Sequence, residues 1–167
     1  KAVSFVGSTP VAKNIYETSA ISGKRCQALG GAKNHALILP DADIDYTTDQ
    51  LISAAFGSSG QRCMALSVAV VFSDIKDEFI KDLEKKVLKL KYGLDDLNSN
   101  SFGPLVSKEH LESVKNYINM SEEEGAKVLV DGRDLLKRKN SNNGYFLGPT
   151  IIDNVSSNMR SYQNEIF

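Results

Sequence analysis

The chain holds two cysteines, Cys26 and Cys63, and the surroundings of Cys63 suit chemistry. It closes the run GSSGQRC, residues 57–63. Gly57 and Gly60 let the backbone adopt conformations closed to other residues, so the chain can turn tightly beside a ligand. Arg62 is the immediate neighbour of the thiol. An adjacent cation favours the thiolate, and the thiolate is the nucleophilic form of cysteine. The competing reading is a packed, inert thiol, because free cysteine is among the most buried residue types. The glycines, the arginine and the apolar strand that follows favour the nucleophile.

Other candidates carry weaker signals. Gly7, Ser8, Thr9 and Pro10 join an apolar strand to a helix. A helix N-terminus just past a strand binds anions such as phosphate, although the same residues also build an ordinary strand–helix turn. Ser8 or Thr9 is expected to cap that helix, with Pro10 in its first turn. Gly30 and Gly31 imply a second tight turn. Asp41, Asp43 and Asp45 alternate like metal ligands, but acids are favoured at helix N-termini and no further ligands cluster nearby. The two cysteines form no disulfide framework and have no metal spacing, and a reducing compartment is the default. His110 is expected at the surface.

The elements that must position these residues alternate between strand and helix. Strands are expected over residues 2–6, 25–29, 34–39, 67–72, 127–130 and 145–152, the last with a bend at Gly148 and Pro149. Helices are expected after Pro10, over residues 46–56, over 75–90 and over 108–124. Leu51, Ile52, Ala55 and Phe56 form an apolar stripe that delivers the chain into the cysteine loop. Ile75, Phe79, Leu83, Val87 and Leu90 line one face of the following helix. Residues 67–72 are apolar without alternation, which suits a strand covered on both faces. Residues 92–106 and the polar KRKNSNN run at 137–143 read as loops. The pattern implies an α/β fold, a three-layer sandwich with a largely parallel sheet flanked by helices.

Composition narrows the function. Of 167 residues, 41% are hydrophobic and 25% charged, and the net charge of −1 comes from 20 basic and 21 acidic residues, so one ordinary core with no nucleic-acid surface is expected. No apolar run is long enough for a membrane span. The chain opens directly on a strand without an initiator Met and reads as a piece of a longer protein, so no targeting conclusion follows.

FVGSTPVAKNI, ALGGAKNHALILPDAD, GSSGQRC and NEIF, in this order, resemble the aldehyde dehydrogenase superfamily across essentially the whole chain. The resemblance implies that Cys63 is the nucleophile that attacks an aldehyde carbonyl. It implies that Gly7 and Ser8 lie near the pyrophosphate of NAD, and that Glu165 contacts the nicotinamide ribose. It divides the chain into the end of an NAD-binding, Rossmann-like domain at 1–29 and a truncated catalytic domain at 30–167.

One departure points to a subgroup. Where most members carry Glu before Leu-Gly-Gly, this chain has Ala28. That Glu activates the water that hydrolyses the thioester, and alanine takes no proton. LGGAKNHALILPDA and GQRCMALS are most similar to the methylmalonate-semialdehyde dehydrogenases, which transfer the acyl group to coenzyme A. In that group the arginine beside the cysteine holds the substrate carboxylate, the role implied for Arg62. The implied reaction oxidises methylmalonate or malonate semialdehyde with NAD, loses CO2 and yields propionyl-CoA or acetyl-CoA. The family's oxyanion-binding Asn and adenosine-ribose residues lie upstream of these residues, so this stretch alone is expected to be inactive. The resemblance also implies a dimer or tetramer, in the mitochondrial matrix of a eukaryote or the cytoplasm of a bacterium. A hydrolytic member with another water activator, and a non-catalytic member with a packed Cys63, remain the alternatives.

Overall fold

The computed structural model describes residues 1–91, 93, 102–137 and 144–167. Most of the loop expected at 92–106, and residues 138–143 of the KRKNSNN run, lie outside the described residues. The chain divides into two compact units, Lys1–Ala32 and Lys33–Phe167.

The first unit is a strand–helix–strand. β1 (Ala2–Val6) and β2 (Arg25–Leu29) pair in parallel, with Ala2 opposite Arg25 and Val6 opposite Leu29. The connection is α1 (Thr9–Ile21), since parallel strands need a crossover. Ser8 stands at the N-cap with extended backbone, but its hydroxyl makes no capping bond, and Pro10 sits in the first turn. Thr9 Oγ1 instead accepts the Gly31 N–H at 3.0 Å. Gly30 must be glycine here, because a Cβ would press on Thr9 Oγ1 at 2.8 Å and on the Thr9 Cα at 3.2 Å.

The second unit carries the larger core. β3 (Asn34–Ile38) pairs in parallel with β4 (Leu66–Val71), and α2 (Ile44–Phe56) connects them by way of the cysteine loop. Asp43 caps α2: its Oδ1 accepts the Tyr46 N–H at 3.0 Å. Asp43 at the cap and Asp45 in the first turn thus have the helix-start role their positions suggested. α3 (Lys76–Val87) follows, and Phe79, Leu83 and Val87 on its apolar face are buried with Ile38 and Leu51. Each such side chain contributes about 1.5–3 kcal/mol of burial.

α2 and α3 are also clamped by charge. Thr48, fully buried, donates to Asp82 Oδ2 at 2.6 Å. Lys86 Nζ donates to Thr48 Oγ1 at 2.9 Å and pairs with Asp45, Asp49 and Asp82 at 2.8–3.1 Å.

α4 (Lys108–Glu123) begins at Ser107, whose Oγ accepts the His110 N–H at 3.1 Å, and ends before Gly125 in the left-handed region. β5 (Lys127–Val130) pairs antiparallel with β6 (Ile151–Asp153), and α5 (Arg160–Gln163) precedes the last residues.

The α/β class and the parallel pairing follow the sequence pattern; among the described residues the strands pair as three two-stranded sheets. Among the described residues β4 pairs only with β3, and its faces are not covered throughout: Ser67, Ala69 and Val70 are exposed. The expected strand at 145–152 is mostly irregular, with Tyr145 bridging Leu105 and the ladder confined to 151–153. Gly148 and Pro149 interrupt it, since proline offers no N–H to a ladder. His110 is half-buried rather than a free surface residue, with its Nε2 bonded to the Phe167 carbonyl at 2.7 Å. Among the described residues no helix is long and apolar enough to cross a membrane.

Candidate active site

The loop that carries Cys63 is built from unusual backbone. α2 ends at Phe56, and Gly57–Gly60 form a tight turn with left-handed backbone at its centre. Ser58 and Ser59 adopt φ of 54° and 55°, and Gly60 adopts 75°. For a non-glycine residue the left-handed region costs roughly 1–2 kcal/mol, and such strain concentrates at functional sites.

Tertiary bonds hold the strained turn. Ser59 Oγ donates to the Gly103 carbonyl at 2.6 Å. Gln61 Oε1 accepts the Val106 N–H at 2.9 Å, and its Nε2 donates to the Pro104 carbonyl at 3.3 Å. Gln61 therefore fastens the cysteine loop to residues 104–106, a reason for glutamine two positions before the cysteine.

From the other side the loop is held by Asn34. Its Nδ2 donates to the Cys63 carbonyl at 2.8 Å and to the Ala65 carbonyl at 3.0 Å. The pairing of β3 with β4 slips at this point: Asn34 lies opposite Leu66 and His35 opposite Val68, which leaves Ser67 as the extra residue. Bulges of this kind re-aim side chains beside active sites. The Ser67 hydroxyl donates to the Asn34 carbonyl at 3.4 Å.

Cys63 itself is exposed. Arg62, also exposed, turns its guanidinium back over the end of α2, with Nε on the Gly57 carbonyl at 3.1 Å and Nη2 on the Ser53 carbonyl at 3.4 Å. Cations are favoured at helix C-termini, where carbonyls are left unpaired. Gly57 makes this possible: a Cβ there would overlap Arg62 Nη2. A cavity of about 670 Å³ lies between β4 and β6, but neither Cys63 nor Arg62 lines it.

Glu165 is exposed, just beyond α5. Lys33 grips the chain immediately before it, with Nζ on the Ser161 carbonyl at 2.6 Å and on the Asn164 carbonyl at 2.9 Å. Burial pulls the Lys33 ammonium below its usual range, and the charge of Glu165 works against that. His35 adds a second tie to α5: its Nε2 accepts the Tyr162 hydroxyl at 2.9 Å, with the rings edge-to-face at 5.4 Å. Its Nδ1 donates to the Lys33 carbonyl at 2.7 Å, which assigns the tautomer.

Cys63, Arg62 and Glu165 all belong to the second unit, whereas Gly7 and Ser8 belong to the first. Lys33, Asn34, His35 and Tyr162 are additional to the residues that the sequence singled out. Their one sequence signal is three polar side chains in succession at the head of an apolar strand.

Against known proteins, residues 1–167 match the aldehyde dehydrogenase family model over the whole chain. The chain is 49% identical over all 167 residues to malonate-semialdehyde dehydrogenase 1 of Oceanobacillus iheyensis, and 50% identical to malonate-semialdehyde dehydrogenase of Bacillus cytotoxicus. It spans 34% of the length of each relative. Among solved structures, 99% of the chain superposes on 34% of methylmalonate-semialdehyde dehydrogenase from Oceanimonas doudoroffii, with a TM-score of 0.94 and 53% identity. Betaine aldehyde dehydrogenase of Staphylococcus aureus, solved with NAD+, matches at a TM-score of 0.89 and 33% identity, with 99% of this chain and 32% of that one covered. The match along its entire length, together with the cysteine loop, makes this chain a member of the aldehyde dehydrogenase family.

Proposed function

We propose that the full-length protein carrying these residues is an NAD-dependent, CoA-acylating dehydrogenase of malonate or methylmalonate semialdehyde. The observation that carries this reading is the exposed Cys63 thiol, on a strained loop held from both sides by Asn34, Ser59 and Gln61. Such a loop offers a nucleophile to solvent while keeping it in one place, which is the condition for covalent catalysis.

In the proposed reaction the Cys63 thiolate adds to the aldehyde carbon and forms a thiohemiacetal. Bound NAD would supply the hydride acceptor; with the hydride lost from the adduct, Cys63 carries the acyl group as a thioester. The acyl group loses CO2 and takes up a proton. Attack by the coenzyme A thiol then expels Cys63 and releases acetyl-CoA or propionyl-CoA. Ala28 supports release to a thiol rather than to water, since it offers no base at the position where hydrolytic members carry one. Arg62 would bind the substrate carboxylate: its bonds to protein use Nε and Nη2, which leaves Nη1 for an incoming anion.

The first unit fits a dinucleotide. Its strand–helix turn at Gly7 and Ser8 ends in a 13-residue helix with no acidic residue in the first turn, and the Ser8 hydroxyl makes no capping bond. Uncapped N–H groups at a helix start suit a pyrophosphate. Glu165 would accept hydrogen bonds from the nicotinamide ribose. Assembly as a homodimer or homotetramer belongs to the same proposal.

The test is NADH formation by the full-length protein with malonate semialdehyde, with and without coenzyme A. Sustained turnover only with coenzyme A supports the acylating reading. Equal turnover without it means that water reaches the thioester by another base, and the acylating reading falls.

A further inference from the structure

Lys33, immediately before β3, and Asn34 and His35, its first two residues, divide their work by the alternation of an extended chain. Lys33 and His35 reach α5 and the residues before Glu165, whereas Asn34, between them, reaches the Cys63 loop. The nucleophile loop and the Glu165 segment, about a hundred residues apart in sequence, are thus pinned to adjacent residues of one strand.

The Lys33 grip is specific in form. α5 has only four residues, too short to hold its own direction. Its Ser161 carbonyl and that of its C-cap, Asn164, take the two bonds from Lys33 Nζ. An ammonium at a helix C-terminus satisfies unpaired carbonyls and meets the negative end of the dipole. Glu165 is the next residue after the second of these carbonyls. The Lys33 backbone is braced in turn, since its own carbonyl accepts from His35 Nδ1, whose ring is bonded to Tyr162.

We propose that Lys33, braced by His35, is a positioning residue that sets the direction of Glu165 toward bound nucleotide. The proposal rests on the reading of Glu165 as the ribose contact. Lys33 itself need not touch the nucleotide, so its effect should pass through Glu165.

The experiment compares Lys33→Met, Lys33→Arg, Glu165→Gln and the Lys33→Met/Glu165→Gln double variant in the full-length protein. Affinity for NAD is measured by calorimetry, kcat and KM for NAD by steady-state kinetics, and the Cys63 alkylation rate by iodoacetamide and peptide mass spectrometry without nucleotide. Loss of two charge-assisted bonds should weaken NAD binding about tenfold in Lys33→Met, mostly in KM. Lys33→Arg, which keeps a cation with N–H donors, should recover part of that loss. Alkylation of Cys63 should stay within about twofold of the parent, because Asn34 holds that loop independently. The double variant should be no worse than Glu165→Gln alone.

NAD affinity unchanged in Lys33→Met, with Glu165→Gln weakened, overturns the positioning role and leaves the reading of Glu165 standing. Additive losses in the double variant also overturn it, since Lys33 would then act by another route. A fall in Cys63 reactivity as large as the fall in NAD affinity would mean a general structural role and would refute it as well. NAD binding unaffected by Glu165→Gln removes the ribose contact and the positioning role together.

Discussion

Asn34 holds Cys63 by its backbone: one amide group donates to the Cys63 carbonyl at 2.8 Å and to the Ala65 carbonyl at 3.0 Å. A nucleophile on a loop is only as well placed as the peptides on either side of it. Asn34→Asp puts a carboxylate against two carbonyl oxygens and should be worse than Asn34→Ala. Asn34→Ala should lower stability by about 1 kcal/mol, because water replaces the bond at the exposed Cys63 carbonyl. In the full-length protein it should lower kcat by about tenfold, since small misplacements of a reacting group are costly. Thermal unfolding and steady-state kinetics on the two variants check the ranking, and equal kcat in Asn34→Asp and the parent would remove the positioning role.

Arg62 should affect substrates that carry a carboxylate and spare those that do not. Arg62→Ala is expected to raise KM for malonate semialdehyde by about tenfold or more, the value of a charge-assisted bond. Propanal, which lacks the carboxylate, should be oxidised with nearly unchanged KM. Gly57→Ala should show part of the same pattern, because its Cβ drives the guanidinium off the Gly57 and Ser53 carbonyls. A parallel loss on both aldehydes would mean that Arg62 acts on the loop and not on the carboxylate.

On the acylating reading proposed above, Ala28→Glu introduces a titratable group at the position where the resemblance places the water-activating glutamate of hydrolytic members. The expected result is NADH turnover that no longer requires coenzyme A, measured at saturating aldehyde. Ala28 lies within β2 opposite Phe5, half-buried, so the glutamate must also be accommodated by the strand pair. Ala28→Gln, of similar size but unable to act as a base, is the control. Coenzyme A-independent turnover in both variants would rule out base catalysis as the cause.

The clamp between α2 and α3 should make stability depend on pH in a defined direction. The Thr48 hydroxyl, and after it the Lys86 ammonium, hold the Asp82 carboxyl below its ordinary value. A depressed folded-state pKa means that the unfolded chain binds the proton more readily. The stabilisation is therefore complete above the unfolded aspartate value of about 3.9 and is lost as pH falls through the lower folded value. Asp82→Asn should lower Tm near neutral pH, and the gap to the parent should narrow toward pH 3. Lys86 contributes with the opposite sign: burial lowers its pKa, but its bonds to Asp45, Asp49 and Asp82 outweigh that and raise it. Its share is present at neutral pH and is lost only at strongly alkaline pH. A Tm gap independent of pH would show that Asp82 acts by packing alone.

Local signals were legible in the residues because their causes are local. The apolar run at 2–6, the turn at Ser8 and Pro10, the cap at Asp43 and the stripe at Phe79, Leu83 and Val87 all depend on neighbours within a turn or two. Residue types also pointed to the cysteine loop, since glycine, arginine and cysteine together limit what the segment can do.

Tertiary structure alone decided which distant atoms hold that loop. Asn34 meets Cys63 across 29 residues, and Lys33 meets Asn164 across 131. A side-chain amide or ammonium can bond any carbonyl within reach, so spacing along the chain says nothing about its partner. The slip at Ser67 and the left-handed serines at 58 and 59 were likewise hidden, because no residue type at those positions demands them. They are held in place by bonds to the Gly103 and Pro104 carbonyls and from Val106 and Asn34, all contributed from outside the loop.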